Sequence, residues 1–355
     1  MPTFSRAERS LRKLVTDYQS LNASQIDALT TAPTPLEFSR YVGANRPVVI
    51  RKAGTIPALE RWSDEYLIRA MAEKEVLISV SPNGNADSIV DGVFVEPANV
   101  PMPLSRLFSL LKAEETDPQN ESTDPVYYLQ SQNGNLAEEY ASLRADVGED
   151  GPEWAIEVFG ESPDVANIWI GGRRSKTSMH KDPYENIYCV VRGTKTFTLL
   201  PPTEAYCVHE QLYPHATYTF TPPSSFTLEK TSPELLLPWI PVDPLNPDLD
   251  KYPRYKLARP MTVTLEKGDM LYLPALWYHQ VTQTPSWGPL EPGSNLDRVG
   301  TTQAAIAVNW WYDMKMDGSF WSTMQLLRRE VLALDGREEM DEDDENGGEE
   351  EEEES

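Results

Sequence analysis

The chain reads as mainly β with flanking helices, its centre a barrel or sandwich of short antiparallel strands. Three observations carry that reading. From about residue 125 onward, runs such as Val126–Gln130, Val165–Gly171 and Ala305–Tyr312 recur between turns, rich in β-branched and aromatic residues. Thirty prolines and nine tryptophans in 355 residues suit a turn-rich β body better than a helix bundle. Apolar residues at helical spacing fall mainly before this region or after it.

The N-terminal region, residues 1–124, reads as helices with some strands packing on the core. Leu11, Leu14, Val15 and Tyr18 place a helix over about 4–18. Thr34-Pro35-Leu36-Glu37 fits a capping box with proline at the first helical position, so a short helix runs to about Val42 and stops at Gly43. Arg46–Ile50 reads as a buried strand. Ser63 caps a helix over 64–73, a strand follows at 76–81, Asn83-Gly84-Asn85 turns, and Gly92–Val95 is a further strand. Leu104, Leu107, Leu110 and Leu111 mark an amphipathic helix over 103–113. The core, 125–316, adds two expected hairpins. One joins Ile187–Val191 to Thr196–Leu200 through Arg192-Gly193-Thr194; the other joins Met261–Leu265 to Met270–Leu273 through Glu266–Asp269. A C-terminal helix occupies 317–336, with Phe320, Met324, Leu327 and Val331 on one face.

Residues 337–355 form an acidic tail. Its last eighteen residues hold thirteen acids and no base, so the rest of the chain carries −12 of the net −25. Such a segment repels itself, lacks apolar anchors and is expected to be disordered. The acidic body argues against sequence-independent nucleic-acid binding and suits a basic partner. Only Cys189 and Cys207 occur, no secretory pattern opens the chain, and no stretch is apolar enough to span a bilayer. A cytoplasmic or nuclear setting is the simplest expectation.

The chemistry concentrates around Thr177-Ser178-Met179-His180-Lys181-Asp182. A histidine and a carboxylate two residues apart on an extended strand point to one side. A second histidine from a distant strand, His279, would complete two imidazoles and one carboxylate, the facial set preferred by non-haem Fe(II). The chain has only four histidines, and this pattern uses two. Taken alone, His180-x-Asp182 is explained as well by a surface strand pair. Lys195 on the returning strand adds weight, because a buried lysine needs an anionic ligand or a neighbouring acid.

The ordered motifs resemble the Jumonji-C (JmjC) oxygenases. They are Thr177-x-x-His180-x-Asp182-x-x-x-Asn186, Gly193-x-Lys195, Leu200-Pro-Pro202, Gly268-Asp-x-Leu-Tyr-Leu-Pro274-x-x-Trp277-x-His279 and Val308-Asn309-Trp-Trp311-Tyr312. The likeness covers roughly residues 35–335 and is nearest to the family's protein hydroxylases, lysyl hydroxylases in particular. It implies a double-stranded β-helix (cupin, or jelly-roll) core and a 2-oxoglutarate-dependent dioxygenase. His180, Asp182 and His279 would hold Fe(II). Lys195 would pair with the distal carboxylate of 2-oxoglutarate, helped by Thr177 and Tyr128, with Tyr127 the neighbouring alternative. Asn186 and Asn309 would lie beside the co-substrate or support the iron ligands, and Trp311 would wall the pocket.

The same resemblance implies lysyl hydroxylation of developmentally regulated GTP-binding proteins, with release of succinate and CO₂. Histone-lysine demethylation, histone-tail peptidase activity and a non-catalytic cupin-like binding role are the alternatives. Two cysteines cannot build a zinc-binding reader module, which weighs against the histone reading. The C-terminal helix offers Phe320, Trp321, Met324, Leu327 and Leu334, more apolar surface than one packing face requires. Such helices pair two chains in hydroxylases of this type; packing onto the chain's own N-terminal helices is equally open. Two departures stand out: a proline- and glycine-rich insert over about 284–301, and the acidic tail.

Overall fold

The computed structural model describes residues 4–116, 125–130, 134–148, 151–286 and 304–337. Eight strands form the core: β1 (Val165–Gly171), β2 (Lys176–His180), β3 (Tyr184–Arg192), β4 (Thr194–Leu200), β5 (Met261–Leu265), β6 (Met270–Leu273), β7 (Tyr278–Thr284) and β8 (Ala305–Asp313). They pair antiparallel in two facing layers, ordered β1-β8-β3-β6 and β2-β7-β4-β5. The chain crosses between layers at every step except β4 to β5, which makes this a jelly roll.

Both expected hairpins are corrected. The strands flanking Arg192–Thr194 exist, but β3 pairs with β6 and β8 while β4 pairs with β5 and β7. Likewise β5 and β6 flank Glu266–Asp269 in opposite layers. The glycine at the first corner explains the geometry. Gly193 has φ of +73°, and a Cβ there would lie 2.7 Å from Thr284 O and 3.0 Å from Ala305 Cα. The corner is thus a tight crossing where β3, β7 and β8 converge, a place for glycine on steric grounds.

The N-terminal region does more than cover the core. Val48–Ile50 pairs with β6, and Asp27–Leu29 pairs with that strand. On the opposite edge, Val126–Leu129 adds to β1, followed by Glu75–Ser81 and Ala98–Pro103. The first layer thereby becomes a nine-stranded sheet. Helix starts follow the capping residues: Thr34 Oγ1 accepts from Glu37 N at 3.2 Å, and Ser63 Oγ from Tyr66 N at 3.1 Å. The N-terminal helix runs Arg6–Leu21 and buries Leu11 and Val15 in one cluster with Leu327 and Val331 of the C-terminal helix, Ser319–Leu334. An eleven-residue strand, Gln211–Thr221, rises from the β4–β5 connection and pairs with Ser225–Lys230, Leu236–Trp239 and Val93–Glu96. The acidic tail beyond Arg337 and the insert beyond Ser286 lie outside the described residues.

Candidate active site

β2 and β7 are neighbours, and their register sets His180 opposite His279, with ring centroids 4.1 Å apart. Asp182 is not on the strand, as expected from the sequence, but two residues beyond its end. There its backbone carbonyl accepts from Leu276 N at 2.9 Å, and Oδ2 lies 3.7 Å from His180 Nε2 and 3.5 Å from His279 Nε2. All three ligand atoms fall within 4.8 Å of one another, and this is the one such His/Cys/Asp/Glu group among the described residues.

The rings are oriented from behind. His180 Nδ1 lies 2.8 Å from Ser178 O and His279 Nδ1 3.0 Å from Trp277 O. A carbonyl can only accept, so each Nδ1 donates there and Nε2, on the side of Asp182, is left as the atom that would ligate a metal. Burial, and then the adjacent His180, push His279 down to about 4, which keeps it in the neutral form a metal requires. The turn delivering His279 is held by two residues that sequence reasoning missed. Glu185 Oε2 accepts from Tyr272 Oη at 2.8 Å and Ala275 N at 3.2 Å, and Asn45 Oδ1 accepts from Trp277 Nε1 at 2.8 Å.

Lys195 lies behind one end of the cavity, beyond Tyr128, which lines it. It is fully buried on β4, directly across from Gln283 of β7. Its ammonium donates to Gln283 Oε1 and lies 3.5 Å from Tyr128 Oη, while Gln283 Nε2 donates in turn to Ser175 Oγ. No acid among the described residues compensates it, and burial alone pushes Lys195 down to about 7. Thr177 is hydrogen-bonded to Tyr128. Strand alternation separates the two adjacent tyrosines: Tyr128 lines the cavity, and Tyr127 packs against the core on the other face. Gln283 and Ser175 are further site residues that the sequence did not disclose. Gly171 is close beneath them, where any Cβ would collide with both side chains.

Between the two ends, Asn309 Nδ2 donates to Asn186 Oδ1 at 3.2 Å and Asn309 Oδ1 accepts from Trp169 Nε1 at 2.7 Å. Trp311 lines the same cavity and stacks flat on Tyr184, centroids 4.9 Å apart and planes within 3°. Of the residues anticipated for the site, His180, Asp182, His279, Thr177, Tyr128, Asn186, Asn309 and Trp311 line one cavity, and Lys195 lies behind it, 3.5 Å from Tyr128 Oη. Beside β2, Asp87 follows a short parallel strand, and its carbonyl accepts from Ser178 Oγ. Burial and then Glu96 push the Asp87 carboxyl up to about 6, His180 pulling it back, with no Lys or Arg in play.

The cupin-like domain family matches residues 33–318, nearly the whole of the sheet system. A human protein named Bifunctional peptidase and (3S)-lysyl hydroxylase JMJD7 is 40% identical over 301 residues, covering 84% of this chain and 87% of that protein. The chain belongs to the JmjC family of cupin-like oxygenases. Two other JmjC relatives are the Arabidopsis thaliana Lysine-specific demethylase JMJ32, 38% identical over 83% of each chain, and the Dictyostelium discoideum JmjC domain-containing protein E, 34% identical over 80% of this chain and 82% of that one. JmjC enzymes use Fe(II) and 2-oxoglutarate, and the residues here fit both. Two imidazoles and a carboxylate suit Fe(II), and a buried ammonium with no acid acting on it suits a dicarboxylate.

Proposed function

We propose that this JmjC oxygenase is a protein hydroxylase that carries out (3S)-lysyl hydroxylation, with developmentally regulated GTP-binding proteins as its substrates. The observation that carries the oxygenase chemistry is Lys195, buried with no acid acting on it and 3.5 Å from Tyr128, which lines the same cavity as His180, Asp182 and His279. His180, Asp182 and His279 would hold Fe(II), which with 2-oxoglutarate and O₂ would supply the chemistry that hydroxylates a substrate carbon, one oxygen atom going to the product and the other to succinate, with release of CO₂.

The chain's own residues do the positioning. Lys195 binds the distal carboxylate as a charge-assisted pair, and Tyr128 and Thr177 offer hydroxyl donors beside it. Asp182 adds the one formal negative charge among the metal ligands. Trp169, Tyr188, Phe197 and Trp311 wall the cavity and exclude water from it. Asp87, close enough to His180 to feel its charge and with no Lys or Arg acting on it, is the carboxyl proposed to receive a lysyl ammonium. The relatives' names support the lysine assignment, since both the human and the plant protein are named for chemistry on lysine.

The test is iron- and 2-oxoglutarate-dependent turnover of lysine peptides, with succinate formed in step with a +16 Da product. Iron-loaded protein that consumed no 2-oxoglutarate with the GTP-binding-protein lysine peptide would sink the assignment. The plant relative supports a second reading, demethylation, which mass separates by a loss of 14 Da from methylated peptides. Peptidase action, in the name of the human relative, would have to survive removal of iron and co-substrate. A purely cupin-like binding role would leave cellular function intact in His180→Ala.

A further inference from the structure

His180 belongs to two cavities. Its inner side faces the metal set, and its outer side forms part of a groove of about 300 Å³ that runs to the C-terminal helix. The groove is walled by Trp239, Ile240 and Leu276 and, from the helix, by Trp321 and Met324. Trp239 is parallel to the His180 ring, within 3° and 5.9 Å between centroids, and is pinned there by its Nε1 donating to Ser178 Oγ at 3.1 Å. That same Ser178 supplies the carbonyl that orients His180. The groove and the metal-site cavity therefore meet at the His180 ring, the one residue that lines both.

The charges in the groove are already matched to one another. Glu210 Oε2 meets Lys181 Nζ at 2.8 Å and Glu210 Oε1 meets Arg328 Nε at 2.6 Å. What remains available to a ligand is chiefly aromatic, aliphatic and thioether surface, the composition of an anchor pocket. We infer that this groove takes the segment of the substrate polypeptide flanking the target residue, seating an apolar side chain against Trp239, Trp321 and Met324. This rests on the protein-hydroxylase reading. The groove's place on the outer side of a metal-set residue, His180, favours the substrate over a second copy of the chain. The helix's exposed Leu326, 58% accessible, is about 140° around the helix from Trp321, so a helix-to-helix pairing would use a different face.

The probe is a lysine-centred peptide library with randomised flanks. One arm enriches it on immobilised enzyme loaded with Mn(II) and the unreactive analogue N-oxalylglycine; the other follows turnover with Fe(II) and 2-oxoglutarate. The wild-type protein should enrich peptides with an apolar residue at one flanking position. Met324→Glu, and independently Trp321→Ser, should abolish that preference and raise the peptide KM roughly tenfold, with the KM for 2-oxoglutarate unchanged. Enrichment without any +16 Da product would keep the groove and refute the hydroxylase reading. Turnover with no flank preference, or with a preference both variants retain, would refute the groove and keep the hydroxylase. Light scattering that shows either variant turning a dimer into a monomer would also overturn the inference, because the face would then join two copies.

Discussion

Replacing Lys195 with methionine should make the metal-free, co-substrate-free protein more stable and its co-substrate site useless. The ammonium is buried with no acid acting on it among the described residues, and burial takes its pKa from 10.5 to about 7. That difference corresponds to about 5 kcal/mol of lost preference for the charged form, an upper bound on the penalty. The sign is definite. Between roughly pH 7 and 10.5 the unfolded chain binds the proton that the folded chain gives up, so this group's contribution becomes more favourable as pH rises through that window. Below about 7 the full penalty applies. Methionine fills similar volume without charge, and removal of buried charge in favour of apolar packing stabilises by about 1–4 kcal/mol. The unliganded variant should melt several degrees higher near pH 7, and the gap should shrink toward pH 10. Loss of a buried charge-assisted pair should weaken 2-oxoglutarate binding by about 3–5 kcal/mol, on the order of a hundredfold or more. Thermal melts with Mn(II), with and without 2-oxoglutarate, read both effects. A Lys195→Met protein that gained the wild-type melting shift from 2-oxoglutarate, or melted lower without it, would refute the reasoning.

Gln283→Glu should stabilise the unliganded protein by neutralising Lys195, and should weaken 2-oxoglutarate binding at least tenfold by calorimetry, because the new carboxylate competes for the same cation. Asp87→Asn should raise the KM for a lysine peptide about tenfold and leave that for 2-oxoglutarate unchanged; equal peptide kinetics would remove Asp87 from substrate recognition. Glu185→Ala touches no metal ligand, yet it strips the partners of Tyr272 Oη and Ala275 N, so iron affinity by competition with a chelator should fall about 10–100-fold. Gly193→Ala should lower stability by about 1–3 kcal/mol in urea titration, since its methyl has nowhere to go at φ of +73°; an unchanged midpoint would refute the crowded corner.

The strands themselves were legible, because β-branched and aromatic runs announce them whatever they pair with. Val165–Gly171 and Met261–Leu265 fall where the pattern puts them. Their partners were not. A tight glycine turn between two apolar runs is the local signal of a hairpin, and nothing local distinguishes it from a corner that sends the second run to the facing sheet. That distinction lies in contacts such as Gly193 against Thr284 and Ala305, ninety and more residues away. The long Gln211–Thr221 strand went unassigned because its proline and alternating threonines look like a turn-rich linker. Lys195 was found because a lone base in a buried strand demands an explanation, whereas Glu185 was missed because its partners, Tyr272 and Ala275, come from a distant strand and turn. Gln283 and Ser175 were missed because neutral polar residues on a strand are equally at home on a surface, and Asn45 and Asp87 because they reach the site from the N-terminal region.

That contrast between charged and neutral residues bears on how the Lys195 end of the site works. Lys195 must be held in line with the cavity, which takes a hydrogen-bond acceptor, but its charge must stay unspent until a carboxylate arrives. A glutamine meets both conditions where an acid would meet only the first. Its Oε1 accepts from the ammonium, and its amide nitrogen is tied in turn to Ser175. The lysine is therefore oriented but not neutralised, and the penalty of burying it becomes differential affinity for an anionic ligand. Tyr128 is consistent with this division, its ring within 5.4 Å of the ammonium and its hydroxyl hydrogen-bonded to Thr177, stabilising position without supplying a counter-charge. A site built this way is less stable empty than it need be, and that deficit is what 2-oxoglutarate binding would relieve.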